Sequence, residues 1–197
     1  MTNPSTAKWE EFLSPSLLRT KLISASLFLT AFELLKASIV GRIKDFFMDG
    51  FDEKGWHINP KYEKDVLSQN RSSVYASLSW LQENGVIDDQ DLATFERIKE
   101  CRNKIAHDLP QIIGGETDPD YVSVFPELVA LLRKIEVWWV VNLEIPTNPD
   151  FQDAEINEEG IVPGPLITVQ LMLNIALGSE EEANAYLKEF QRQKSEL

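Results

Sequence analysis

One cysteine, two histidines and three methionines are all the sulfur and imidazole that 197 residues provide. The lone Cys101 excludes an intrachain disulfide and any multi-cysteine zinc site within the chain. Beside Arg102 it could be an activated thiol, but a small buried filler is the better reading of that residue type. Basic charge is also scarce. Nineteen Lys and Arg face 32 Asp and Glu, and the net charge of −13 excludes a broad electrostatic grip on nucleic acid. Long uncharged runs are absent as well: Leu22 to Phe32 stays uncharged for only eleven residues before Glu33 and Lys36 intervene, too short to span a bilayer. The opening MTNPSTAKWEEF has no basic region ahead of an apolar one, so a secretory signal is not expected. Repeats, low-complexity tracts and β-alternating segments of useful length are missing too. The expectation is a soluble, cytoplasmic, helical protein with no membrane contact, no cofactor and no metal.

What is present suits that class. Hydrophobic residues make up 43% of the chain, and five Trp and ten Phe give a core its bulk. After a leader carrying Trp9 and Phe12, Ser14-Pro15 opens a helix that should run to about Phe47. Asp49 to Pro60 is dense in turn residues and reads as a loop. Helical periodicity resumes near Tyr62, strengthens from Arg71 and stops at Asn84-Gly85. A further helix covers Pro126 to Glu144, with Leu128, Leu131, Leu132, Ile135, Trp138 and Trp139 as its apolar positions. The expected architecture is an all-α bundle of four to six helices with a central αα-hairpin. Its bundle should occupy residues 1–145, followed by an acidic, proline-rich linker or arm (146–165). A helical appendage (166–197) then docks on the bundle or on a partner, its last helix opened by a Ser179–Glu182 capping box.

The chemistry concentrates in Asp88 to Leu109, a helix of roughly six turns capped by Asp88 and stopped by Pro110. Leu92, Phe95, Ile98, Ile105 and Leu109 form an inward seam, and Arg102 falls in its seven-residue gap. Glu33, inside the apolar first helix, is a candidate partner for that guanidinium. Glu96, Glu100, Asn103 and His107 share a polar face. Arg102 and His107 stand about 140° apart around the axis, so both reach one site only at a cleft or a dimer seam. Here the charge reverses: Arg97, Lys99, Arg102 and Lys104 against Glu100 give +3 over residues 97–107. A polyanion would bind there and avoid the tail, where residues 142–197 hold 3 basic and 11 acidic side chains.

Other clusters point to bland roles. Asp49, Asp52, Glu53 and His57 match no metal-binding motif. Gly114-Gly115 follows no strand and precedes no lysine, so it is no phosphate cradle, and with Asp118-Pro119 it marks a loop. Trp138-Trp139 suits a core better than a base-stacking platform. No DNA-reading motif is found.

Arg102-Asn103-Lys104-Ile105-Ala106-His107 reads R-N-x-x-x-H. With the preceding hairpin, it resembles the HEPN superfamily of helical bundles over residues 14–145. The resemblance implies a metal-independent endoribonuclease of toxin or defence type, working as a homodimer with two motifs facing each other. His107 would then act as general base or acid, Arg102 would stabilise the phosphorane, and Asn103 would orient one of these groups. Lys104, Arg97 and Lys99 would bind the RNA. The family also holds members that bind or regulate without cutting. Leu27 to Ile39 (LFLTAFELLKASI) is also similar to the mannitol-operon repressor family, which implies a regulator acting through protein partners.

Overall fold

The computed structural model describes residues 9, 10, 12–53, 55–117, 120–151 and 155–195. Within them the chain is an all-α bundle. Helix α1 spans Pro15–Phe46 and forms its spine, burying Ala25, Phe28, Ala31, Phe32, Leu35, Ile39 and Ile43. Ser14 precedes it as N-cap with Pro15 in the first turn, where a missing amide costs nothing. By length and composition alone this helix could cross a membrane, but 44% of its apolar window is buried inside the protein. Trp9 and Phe12 meet each other edge to face at 5.8 Å, and Trp9 stays exposed.

The expected loop at 49–60 is instead a β-hairpin. Strands β1 (Met48–Asp52) and β2 (Gly55–Ile58) pair antiparallel, with Phe51 opposite Trp56 and Asp52 opposite Gly55. Two features hold it: the Phe51–Trp56 cross-strand contact, 5.3 Å between ring centroids, and Gly55 at φ +107°. His57 pairs with Asp52 at 2.8 Å. Among the described residues, no group of three or more His, Cys, Asp or Glu could hold a metal ion.

The second helix also starts later than its periodicity suggests. Tyr62–Val66 and Leu67–Gln69 form short irregular turns, and Asn70 is fully extended (φ −153°, ψ 151°). Its side chain accepts from Ser72 N at 3.0 Å, a local bond that competes with the helix. Helix α2 therefore runs Ser73–Glu83. It ends on Gly85 at φ +71°, with Val86 N donating to Leu81 O at 2.9 Å, which closes a Schellman turn.

Helix α3 follows, Asp89–Ile113, behind a capping box in which Asp88 and Asp91 each accept the other's amide. Tyr75 bonds Glu96 at 2.5 Å, and Gln82 bonds Asp89 at 2.6 Å. These contacts pair early α2 with later α3 and late α2 with early α3, as an antiparallel hairpin requires. Two expectations are corrected here. Pro110 does not stop the helix: Asp108 leaves helical geometry (φ −110°, ψ 18°), and the chain continues to Ile113. That distortion relieves the clash a proline ring makes with the preceding turn. The inward line is Phe95, Ile98, Cys101, Ile105 and Ile112, with Leu92 and Leu109 only partly buried. Cys101, not Arg102, fills the gap in the seam.

Helix α4, Tyr121–Trp139, begins a turn before the expected Pro126, capped by Asp120. It passes through a wider turn at Val140–Glu144. Asp118-Pro119, part of the expected loop, lies outside the described residues. Helices α5 (Gly164–Leu177) and α6 (Glu180–Ser195) complete the chain, α6 opened by the expected Ser179–Glu182 box. Val169 of α5 joins the core, with Leu166, Met172 and Leu173 packed against it. Nothing in α6 is buried. Core burial of this kind supplies roughly 1.5–3 kcal/mol per large apolar side chain. At one end of the bundle the aromatic rings cluster, and Trp80 stacks on Trp139 at 6.0 Å and 6°.

Candidate functional site

Arg102 leaves α3 beside the core line rather than within it. Its Nη2 lies 3.5 Å from Glu33 on α1, its Nη1 donates to Asn103 Oδ1 at 3.4 Å, and its Cζ sits 5.5 Å from the centre of the Phe32 ring. The expected Glu33–Arg102 pair therefore forms, but Glu33 is exposed and shared with Lys36 at 3.5 Å, so it is no buried acid. The Nε of Arg102 is buried and donates to no acceptor among the described residues. The guanidinium is thus fixed against an aromatic face, 33% exposed, with a donor in reserve.

His107 lies on the solvent side of the same helix, exposed, with no hydrogen bond or ion pair among the described residues. Asn103 stands one turn before it and is half-buried. The core line of Ile98, Cys101 and Ile105 fixes the rotation of α3. Arg102 then flanks that line on the α1 side, and His107 points away from it. The structure brings Arg102 and Asn103 together and leaves His107 apart from Arg102 within one chain. Immediately after His107 the backbone departs from helical form, and Pro110 has no N–H to offer the Ala106 carbonyl.

The basic residues expected to meet RNA occupy two faces. Arg97 and Lys104, seven residues apart, edge a depression of about 180 Å³ that also holds Glu100, Cys101 and Asp120. Arg97 pairs with Glu127 at 2.9 Å. Lys99 lies on the other side of α3, bonded to Tyr75 and 3.4 Å from Glu96, and the Tyr75 hydroxyl holds its ammonium above the usual lysine range. Burial pushes the Cys101 thiol up to about 11, so it is an inert filler.

The strongest ionic arrangement was not anticipated. Glu136 of α4 is 1% exposed and receives Arg42 of α1 at 2.6 Å, while Arg42 also reaches Glu144 at 2.8 Å. Its signal was an acid one turn beyond Leu132, inside an apolar stripe. These hydrogen bonds, Glu136 first, raise the Arg42 pKa still further. The group ties α1 to α4 and to the wider turn that follows it. A larger cleft, about 480 Å³, lies between α4 and residue 158, lined by Arg133, Lys134, Trp138 and Asn142. Its cations are engaged: Arg133 donates to the carbonyls of Glu158 and Glu159, and Lys134 bonds Asp91 and Asp88.

Compared with known protein families, with curated proteins and with solved structures, the chain gives no match.

Proposed function

We propose that the chain acts on RNA as a HEPN-like, metal-independent endoribonuclease whose site is completed by a second copy. One observation carries the reading: a part-exposed guanidinium with a spare donor, hydrogen-bonded to Asn103, lies five residues before an exposed His107 that has no partner among the described residues. Because the two groups diverge by about 140° around α3, one chain cannot bring both to the same phosphate. A two-fold pairing of α3 faces sets His107 of one copy beside Arg102 of the other.

The chemistry is then self-consistent. His107 takes the proton of an RNA 2′-hydroxyl, the 2′-oxygen attacks phosphorus, and the 5′-oxygen leaves with a proton from water. Arg102 stabilises the charge on the phosphorane, and Asn103 holds the guanidinium in place. With acidic side chains around Arg97, Lys99 and Lys104, the substrate is a restricted RNA segment rather than bulk RNA.

The test is cleavage of single-stranded RNA in the presence of a chelator. Wild type cuts, while folded Arg102→Ala and His107→Ala do not. Co-expressed in equal amounts, the two inactive variants recover about one quarter of wild-type activity, because half the dimers carry one intact site of two. Undiminished cleavage by His107→Ala removes the catalytic assignment, and absence of recovery removes the shared site.

A second reading, a non-catalytic helical regulator working through protein contacts, is favoured by the hairpin. Phe51 and Trp56 are 69% and 66% exposed on adjacent strands, an aromatic pair open to a partner. RNA left uncut by wild type, with a partner protein lost on Trp56→Ala, selects that reading.

A further inference from the structure

The cleft between α4 and residue 158 carries two opposite charges that do not neutralise each other. Arg133 reaches the arm through Nη2 alone, which donates to the carbonyls of Glu158 at 2.8 Å, Glu159 at 3.3 Å and Ile161 at 3.5 Å. Its Nε and Nη1 have no acceptor among the described residues, and no carboxylate there balances its charge. The exposed Glu158 carboxylate likewise has no hydrogen bond or ion pair among the described residues. Because Arg133 Nη2 touches the Glu158 main chain, the two unspent charges lie within a side chain's length of each other. Much of the remaining lining is apolar: Val86 and Val137 are buried, and Trp138 is half-buried. Lys134 is committed to Asp91 and Asp88, so neither it nor those acids would meet a ligand unpaired. Asn142 spends Nδ2 on the Trp138 carbonyl at 2.9 Å and keeps Oδ1 as an acceptor.

We propose that this cleft binds a free α-amino acid with an apolar side chain. Arg133 takes the carboxylate through Nε and Nη1, the paired geometry a guanidinium favours. Glu158 and Asn142 Oδ1 accept from the ammonium, and Val86, Val137 and Trp138 receive the side chain. The volume of about 480 Å³ falls among small-molecule sites, roughly 300–1,000 Å³. Charge decides against simpler ligands. A bare anion is repelled by a chain of net charge −13, and a bare cation by Arg133. A zwitterion is neutral overall and answers both charges. A peptide terminus offers only one of the two. The site shares no residue with the Arg102–His107 reading, so either can fail alone.

Equilibrium dialysis of the full chain, free of RNA, against radiolabelled L-phenylalanine and L-leucine tests it. Each is taken up saturably, one per chain. L-phenylalaninamide, which lacks the carboxylate, and phenylpropanoate, which lacks the ammonium, compete at least tenfold less well than unlabelled L-phenylalanine. Glu158→Gln, an exposed change that leaves the main-chain contacts of Arg133 in place, weakens L-phenylalanine at least tenfold. Arg133→Gln does the same while circular dichroism stays that of a folded helical chain. No saturable uptake of either amino acid, equal competition by the amide or by phenylpropanoate, or an unchanged Glu158→Gln overturns the assignment.

Discussion

The Arg42 guanidinium and the Glu136 carboxylate meet at 2.6 Å, the acid almost wholly enclosed and the base one-third exposed. They join α1 to α4 at a point where both helices otherwise present aliphatic and aromatic side chains. Breaking such a pair is more harmful than never having it, because the remaining charge stays enclosed without a partner. Arg42→Met is expected to lower unfolding free energy by about 3 kcal/mol. Glu144→Gln, removing a half-exposed partner of the same base, should cost less than about 1 kcal/mol. Urea titration of both variants checks the contrast, and equal effects would show that enclosure is irrelevant here.

Alkaline pH should loosen the fold. Burial holds the Cys101 thiol neutral up to about 11, against an ordinary value of 9.0, and raises the Tyr62 phenol too. The unfolded chain releases those protons first, so stability falls as pH rises from 9 towards 11. Lys99 and Lys134, whose pKa values are raised mainly by hydrogen bonds to Tyr75 and Asp91, act in the same sense. Their stabilisation is complete below the unfolded lysine range and is lost as pH climbs through the folded one. The urea midpoint should therefore drop between pH 8 and pH 10, and drop less in Cys101→Ala. At pH 8 a thiol reagent should label the folded chain slowly and the urea-unfolded chain quickly.

Gly85 sits at φ +71° with open space where a Cβ would be built. Gly85→Ala should cost about 1 kcal/mol through backbone conformation alone. Gly41 also has open space, and no positive φ; it lies within α1, so Gly41→Ala should stabilise slightly. Denaturation of the two variants in parallel separates strain from packing.

Glu33 restrains Arg102 through a long, solvent-screened contact. Glu33→Gln should alter stability by less than about 0.5 kcal/mol. On the RNA reading it should also tighten binding of single-stranded RNA, by freeing the guanidinium for phosphate. Electrophoretic mobility shifts at two salt concentrations measure this, and unchanged affinity would argue that Arg102 does not meet the backbone.

The helical order was legible because α1, α3 and α4 keep long periodic seams and because Asp88 and Ser179 open their helices with reciprocal side-chain bonds. Local rules failed where two devices compete. Turn residues at 49–60 suggested a loop, but an aromatic pair across a Gly55 turn makes strands of it. Pro110 reads as a stop, yet one distorted residue, Asp108, lets the helix pass. At the site, R-N-x-x-x-H could be read from sequence, while the choice of Cys101 over Arg102 for the inward position could not. Both lie within one turn of Ile98, and only packing against Phe32 and Glu33 decides between them. Likewise Glu136 looked like any acid in an apolar stripe until Arg42, 94 positions earlier, was brought beside it.

The stacked indoles of Trp80 and Trp139 join α2 to the far end of α4, 59 positions along the chain. Rings that close and that parallel couple their electronic transitions, so folding writes itself into the near-ultraviolet spectrum. Closure of this end of the bundle can thus be followed by circular dichroism in the unlabelled protein, leaving the opposite end free to carry a separate dye.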